Sequence, residues 1–202
     1  MPANFDAPGD SKGSVLIGIK GQGAFSFNLE TVKEGTFETI DVAALGGQKL
    51  SINPSVDLSQ IRMVESFERH DTEGVGDIVR RRLNITNEPL RIDSQVKYST
   101  VARGDSSVYL RISNLVYKEK IWDHAAGQII VEESGGVVTD ILGRPLDYSR
   151  GHSFTENLGI LCCNAALHEI FLAQIREIDV VDFFTQAQLR KEQAQAQAQA
   201  QL

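Results

Sequence analysis

Cysteine is scarce in this 202-residue chain: there are two, Cys162 and Cys163, and they are adjacent. Neighbouring thiols suit neither a long-range disulfide nor the spaced ligand pairs of a zinc module, so both classes are excluded and the pair reads as buried strand residues. Long apolar runs are also missing. No stretch approaches the roughly 20 residues that span a bilayer, and the start Met-Pro-Ala-Asn-Phe-Asp lacks the basic and apolar regions of a secretory signal. The expectation is a chain with no membrane partner in a reducing, cytoplasmic location. Positive charge is in deficit as well, with 20 Lys and Arg against 27 Asp and Glu and a net charge of -7. Such a balance gives no long-range attraction for a nucleic-acid polymer or an anionic membrane. A small phosphorylated ligand is still compatible, because a few local cations bind it against the net charge.

What is present is the make-up of a globular protein, 42% hydrophobic and 23% charged, with length for one sizeable core. Residues 1–13 are Pro-, Gly-, Asp- and Ser-rich and read as an irregular start. Residues 14–55 read as a strand group: Val15-Leu-Ile-Gly-Ile-Lys-Gly-Gln-Gly-Ala-Phe-Ser-Phe alternates and turns on Gly21 and Gly23, and a further strand is expected near 36–42. With no helix in those first 55 residues, one face of the group is expected to find little in this chain to bury against.

Residues 56–180 alternate in the rhythm of an α/β layer. Strands are expected at 61–66, 90–93, 107–112, 137–140 and 159–163, and helices at 76–83, 94–101 and 123–134. A last helix carries Leu167, Ile170, Phe171, Ile175 and Ile178 at helical spacing. The fold class read from this order is a layered α/β sandwich, a mixed sheet flanked by helices, with the N-terminal strands left over. Residues 181–202 end in a Gln-Ala repeat with almost nothing apolar to anchor it.

The informative block runs Tyr117-Lys-Glu-Lys-Ile-Trp-Asp-His-Ala-Ala-Gly-Gln-Ile-Ile-Val-Glu-Glu-Ser-Gly-Gly-Val-Val-Thr-Asp. It places Asp123 at a helix start, where a carboxylate either caps backbone N–H groups or turns outward to hold a hard cation. Small residues Ala125, Ala126 and Gly127 permit a close approach behind it. Trp122 reads as core or backing, His124 as a helix-surface residue, and the pair Glu132 and Glu133 as a solvated face.

Trp-Asp-x-Ala-Ala-Gly followed by Glu-x-Gly-Gly-x-x-Thr-Asp resembles the second signature of the inositol-monophosphatase superfamily. The fuller form Glu119-Lys-Ile-Trp-Asp-His looks like its 3'(2'),5'-bisphosphate nucleotidase branch. Gly21-Gln-Gly-Ala-Phe, Glu65-Ser-Phe-Glu, Ile92-Asp-Ser-Gln-Val-Lys-Tyr, Ala102-Arg-Gly-Asp and Val108-Tyr-Leu-Arg agree in the same order, over roughly residues 15–175.

The resemblance implies the C-terminal part of that fold and hydrolysis of the 3'-phosphate of adenosine 3',5'-bisphosphate with Mg2+. It implies Asp123 as a metal ligand and His70, Ser94, Lys97 and Arg111 as substrate-binding residues; that Tyr98 or Tyr109 packs near the base is a separate expectation with no motif behind it. Phosphate-ester hydrolysis draws on cations that neutralise phosphoryl charge, and Arg offers a planar fork to phosphate where Lys offers a point charge. The chain departs from the pattern in two ways. Arg69-His70-Asp71-Thr72 is one residue out of step with the family's Gly-His-Ser-Ser-His stretch. The Asp-Pro-x-Asp-Gly-Thr motif and the acidic segment of the family's first half, which supply most metal ligands, do not occur, and the Glu132-Glu133 pair is not taken as a substitute. No catalytic residue is therefore assigned, and the chain alone is expected to be inactive. The alternatives are a non-catalytic remnant with weak or no nucleotide binding, an inositol-phosphate phosphatase, or a chain completed by a separately encoded N-terminal half.

Overall fold

The structure, a computed structural model, describes residues 13–29, 46–67, 74–112, 117–186, 189 and 193. The strand expected near 36–42, His70 and most of the Gln-Ala repeat lie outside them. Among the described residues the chain opens with strands β1 (Ser14–Ile19), β2 (Gly23–Asn28), β3 (Gln48–Lys49) and β4 (Met63–Glu65). Helix α1 (Val75–Arg82), β5 (Leu90–Arg91), α2 (Val96–Arg103) and β6 (Val108–Arg111) come next. A 3-10 turn at Ile121–Asp123 leads into α3 (Ala125–Glu133), β7 (Val137–Thr139), β8 (Ile160–Cys163) and α4 (Ala165–Arg176).

The strands form two sheets. β1, β2 and β3 make an antiparallel sheet in that order, and the second has the order β5-β4-β6-β8-β7. In the larger sheet β4 runs parallel to β5 and β6, whereas β8 runs antiparallel to β6 and β7, so the sheet is mixed. Its central strands are apolar on both faces, as a sheet covered on two sides requires. Alternation along β6 sends Val108 and Leu110 one way and Tyr109 the other. Val108 and Leu110 join Met63, Leu161 and Cys163 against Val79 of α1 and Leu167, Phe171, Leu172 and Ile175 of α4. Tyr109 joins Val64, Cys162 and Val138 against Tyr98, Val101 and Ala102 of α2 and Val131 of α3. Both cysteines are free and buried, as expected of strand residues.

One face of the three-stranded sheet, the one that carries Leu16, Gly18 and Ala24, is covered by α3. Leu16, Ala24, Leu50 and Ile52 belong to the same cluster as Val131 and Ile130 of α3. β1 lies so close to α3 that a Cβ built on Gly18 would stand 3.0 Å from the Ile130 backbone nitrogen. The helix that covers this face follows the strands by about a hundred residues. Glu133, read as part of a solvated face, is corrected. Its two carboxylate oxygens accept hydrogen bonds from Gly21 N and Gly23 N at 2.7 and 2.8 Å, closing the β1–β2 turn over the end of α3. The molecule thus stacks as helices, mixed sheet, helices and small sheet. Among the described residues no helix is long and apolar enough to cross a membrane.

The helix ends have local causes. α4 begins at Asn164, whose side chain accepts from Leu167 N at 2.8 Å while its amide donates to the carbonyls of Asn53 and Ser55. α2 ends at Gly104, in the left-handed region with φ of 80°. Its start differs from the expectation at Ser94. The first helical residue is Val96, and Ser94 itself sits at φ of 60°, a rare conformation for a residue with a Cβ.

Candidate functional site

The C-terminal ends of β4 and β6, the start of α2 and the 3-10 turn before α3 meet around a cavity of about 390 Å³. Ser94, Lys97, Arg111 and Asp123 all line it, so four of the five positions named from the sequence come together. His70 falls outside the described residues.

Each of the four is held differently. Lys97, in the first turn of α2, is almost fully buried; its ammonium donates to the Ile92 carbonyl at 3.2 Å and lies 5.7 Å from the centroid of the Tyr109 ring. This is no solvated side chain. Burial pushes the Lys97 ammonium below its usual range and the nearby Arg111 pushes it further, while Asp93 and Glu119 oppose them. Arg111 is the last residue of β6, and its Nε donates to Glu119 Oε1 at 2.6 Å. Burial alone would lower the guanidinium pKa, but the Glu119 bond, with help from Tyr109, outweighs it and the net direction is upward. Ser94 has no helix-capping role, since α2 lacks a side-chain cap. Its strained backbone turns the chain from β5 into α2, beside Asp93, whose carboxylate accepts from Phe67 N at 3.0 Å and holds the end of the β4 segment against the cavity.

Asp123 is exposed at the cavity edge. α3 is entered through His124 with no side-chain cap, so Asp123 does not spend its carboxylate on the helix start. Gln95 Nε2 donates to the Trp122 carbonyl at 2.9 Å and fixes the turn that carries Asp123. Trp122 is not core: it is 58% exposed and stacks on His152 with ring centroids 6.3 Å apart. Hydrophobicity implied burial for it, whereas the turn at Ile121–Asp123 projects the indole outward.

His124 is the larger surprise. Read as a surface residue, it is only 3% exposed, because the 3-10 turn rotates it inward between α2 and the loop at Phe154. Its Nδ1 lies 2.7 Å from Tyr98 Oη, and its Nε2 lies 3.5 Å from Glu119 Oε2. Gly127, one turn on, makes this possible, since a Cβ there would clash with the Tyr98 ring. Tyr98 therefore reaches His124, while Tyr109 lines the cavity itself; burial pushes both phenols far above their ordinary range. Sequence reasoning gave Glu119 and His124 no role, although both stand in the motif that contains Asp123.

The chemistry available is anion capture. Two cations, one buried and one half-buried, converge on a cavity whose rim carries a carboxylate. A hard divalent cation needs several oxygen ligands. Among the described residues no group of three or more His, Cys, Asp or Glu could hold a metal ion, so Asp123 does not complete such a site with its neighbours.

A model described as the inositol monophosphatase family matches residues 6–179. The 3'(2'),5'-bisphosphate nucleotidase of Dictyostelium discoideum is 38% identical over 167 residues, covering 82% of this chain and 47% of that protein. That of Schizosaccharomyces pombe is 33% identical over 171 residues, covering 84% of this chain and 46% of that protein. The chain thus spans about half the length of these curated relatives. Among solved structures, the inositol monophosphatase from Anabaena (Nostoc) sp. PCC 7120 superposes with a TM-score of 0.57 at 20% identity, over 82% of this chain and 57% of that one. At that identity the likeness shows the shared α/β fold.

Proposed function

Because this chain belongs to the inositol monophosphatase family, we propose that it forms the nucleotide-holding wall of a 3'(2'),5'-bisphosphate nucleotidase centre, taking adenosine 3',5'-bisphosphate as ligand. The observation that carries this is the buried Lys97 ammonium beside Arg111. Each raises the electrostatic cost of the other, and a bound phosphate relieves both. Asp93 and Glu119 offset part of the cost of keeping two cations together out of water, and a bound phosphate offsets more of it. Arg111 and Lys97 hold the phosphate oxygens, and Ser94 contributes its hydroxyl at the mouth of α2. Cytoplasmic location belongs to the same proposal.

Magnesium is the cofactor this reading calls for, and when bound it neutralises phosphoryl charge. Asp123 is the ligand that we assign to it from this chain. The remaining ligands are not among the described residues, and no chemical step through the metal is assigned to them. In this reading the family's first-half acidic segment and Asp-Pro-x-Asp-Gly-Thr motif, which these 202 residues do not contain, reach the site from outside them.

The test is phosphate release from adenosine 3',5'-bisphosphate in excess magnesium, comparing the chain with Asp123→Ala. Release at background in both is the expected result. Magnesium-dependent release that Asp123→Ala abolishes would show a working metal site in this chain and overturn the assignment of the missing ligands.

A further inference from the structure

We propose that Glu119 is a positioning residue that aims the Arg111 guanidinium at the ligand phosphate, its own carboxylate confined beside the buried His124 ring that Tyr98 contacts. The proposal rests on Arg111 being a phosphate contact, as argued above.

A strand end fixes where the Arg111 backbone lies but not where a long, rotamer-rich side chain points. Something must orient the fork, and Glu119 is placed to do so. Its carboxylate is buried and accepts from Arg111 Nε at 2.6 Å. Engaging Nε sets the plane of the guanidinium; Tyr109 also bonds to it, and the terminal N–H groups that remain are donors for an anion.

Glu119 is itself pinned at two levels. Its carbonyl accepts from Phe154 N at 2.9 Å, and the adjoining Lys120 bridges to Ser153, so the backbone is clamped. Its second oxygen faces His124 Nε2 at 3.5 Å. That nitrogen is buried and makes no hydrogen bond. Tyr98 Oη sits against the other ring nitrogen at 2.7 Å. A phenol whose burial holds its proton donates to Nδ1, which leaves the imidazole proton on Nε2, pointing at the carboxylate.

The four side chains form one line from α2 to β6: Tyr98, His124, Glu119, Arg111. The short segment from 119 to 124 therefore carries both Asp123 at the rim and the group that orients Arg111 within the cavity. Mutual placement of two ligand-facing side chains through one segment is what preorganisation of a binding site requires.

Two readouts test this, calorimetric titration with adenosine 3',5'-bisphosphate and the Arg Nε–H signals in a 1H–15N spectrum of the free chain. The Arg111 signal is assigned by its disappearance in Arg111→Lys. In the parent chain it is expected to be shifted and protected from exchange, and Glu119→Gln should return it towards the exposed position. The same variant should weaken nucleotide binding about tenfold, equivalent to about 1.4 kcal/mol. In an Arg111→Lys background Glu119→Gln should have no further effect, which a merely structural role would not predict. If Glu119→Gln does not fold, Glu119→Asp supplies both readouts. An Arg111 signal or an affinity unmoved by Glu119 substitution overturns the positioning role. A parent chain that binds no nucleotide but shows a Glu119-dependent Arg111 signal refutes the nucleotide reading while the Glu119–Arg111 coupling stands.

Discussion

Tyr98 Oη lies 2.7 Å from Nδ1 of His124, and both rings are buried where α2 crosses the start of α3. This bond ties the helix that carries Lys97 to the turn that carries Asp123. Tyr98→Phe keeps the ring packed against Tyr109 and removes only the donor, leaving a buried imidazole nitrogen unsatisfied. Such a loss costs about 1–3 kcal/mol. The urea midpoint should fall accordingly with an unchanged m-value; an unshifted midpoint would mean that the bond contributes nothing to the fold.

Asp140, which is fully buried, is the hub of a second network. Its carboxylate accepts from Leu142 N and Arg144 N, pairs with the Arg144 guanidinium at 2.7 Å and receives the Asn157 amide. These contacts brace the loop between β7 and β8. Asp140→Ala strands several donors at once, for an expected loss of about 2–4 kcal/mol. Arg144 is half-exposed, which keeps the figure from being larger. Chemical denaturation measures the loss, and a cost below about 0.5 kcal/mol, the range of an ordinary surface substitution, would contradict the network's importance.

His168 gives a pH signature. It is buried on α4 with Nε2 2.8 Å from Thr139 Oγ1, and burial, the main cause, lowers its pKa from the ordinary value of 6.5. A histidine with a depressed folded pKa binds its proton more readily when unfolded, so its contribution is full above about pH 6.5 and falls as the pH drops below that value. The urea midpoint should therefore decline more steeply between pH 7 and pH 5 in the parent chain than in His168→Gln. Parallel declines would show that His168 does not sense the transition.

Much of the fold was legible because periodicity is local. The spacing of Leu167, Phe171 and Ile175 predicts a buried helix face that the structure has. The cover that α3 gives to β1 and β2 was not legible, since it joins segments about a hundred residues apart, and nothing in residues 14–55 names its partner. In the site, Lys97, Arg111, Ser94 and Asp123 were found through motif resemblance, and the cavity gathers them. Glu119 and His124 escaped because a charged residue and an imidazole ordinarily read as surface. The 3-10 turn before α3 brings His124 inward and the Phe154 backbone bond holds Glu119, and hydrophobic pattern encodes neither. Trp122 was misplaced by the same turn.

The most direct test of the account is calorimetric titration of adenosine 3',5'-bisphosphate into the chain without metal, with adenosine as the uncharged control and Lys97→Ala and Arg111→Ala as variants. The account predicts measurable binding of the bisphosphate, none of adenosine at the same concentrations, and at least about a tenfold loss in each variant, as removal of a charge-assisted phosphate contact implies. Bisphosphate binding that is indifferent to both substitutions, or no binding by the parent chain, would contradict the claim that this cavity is a nucleotide-phosphate site.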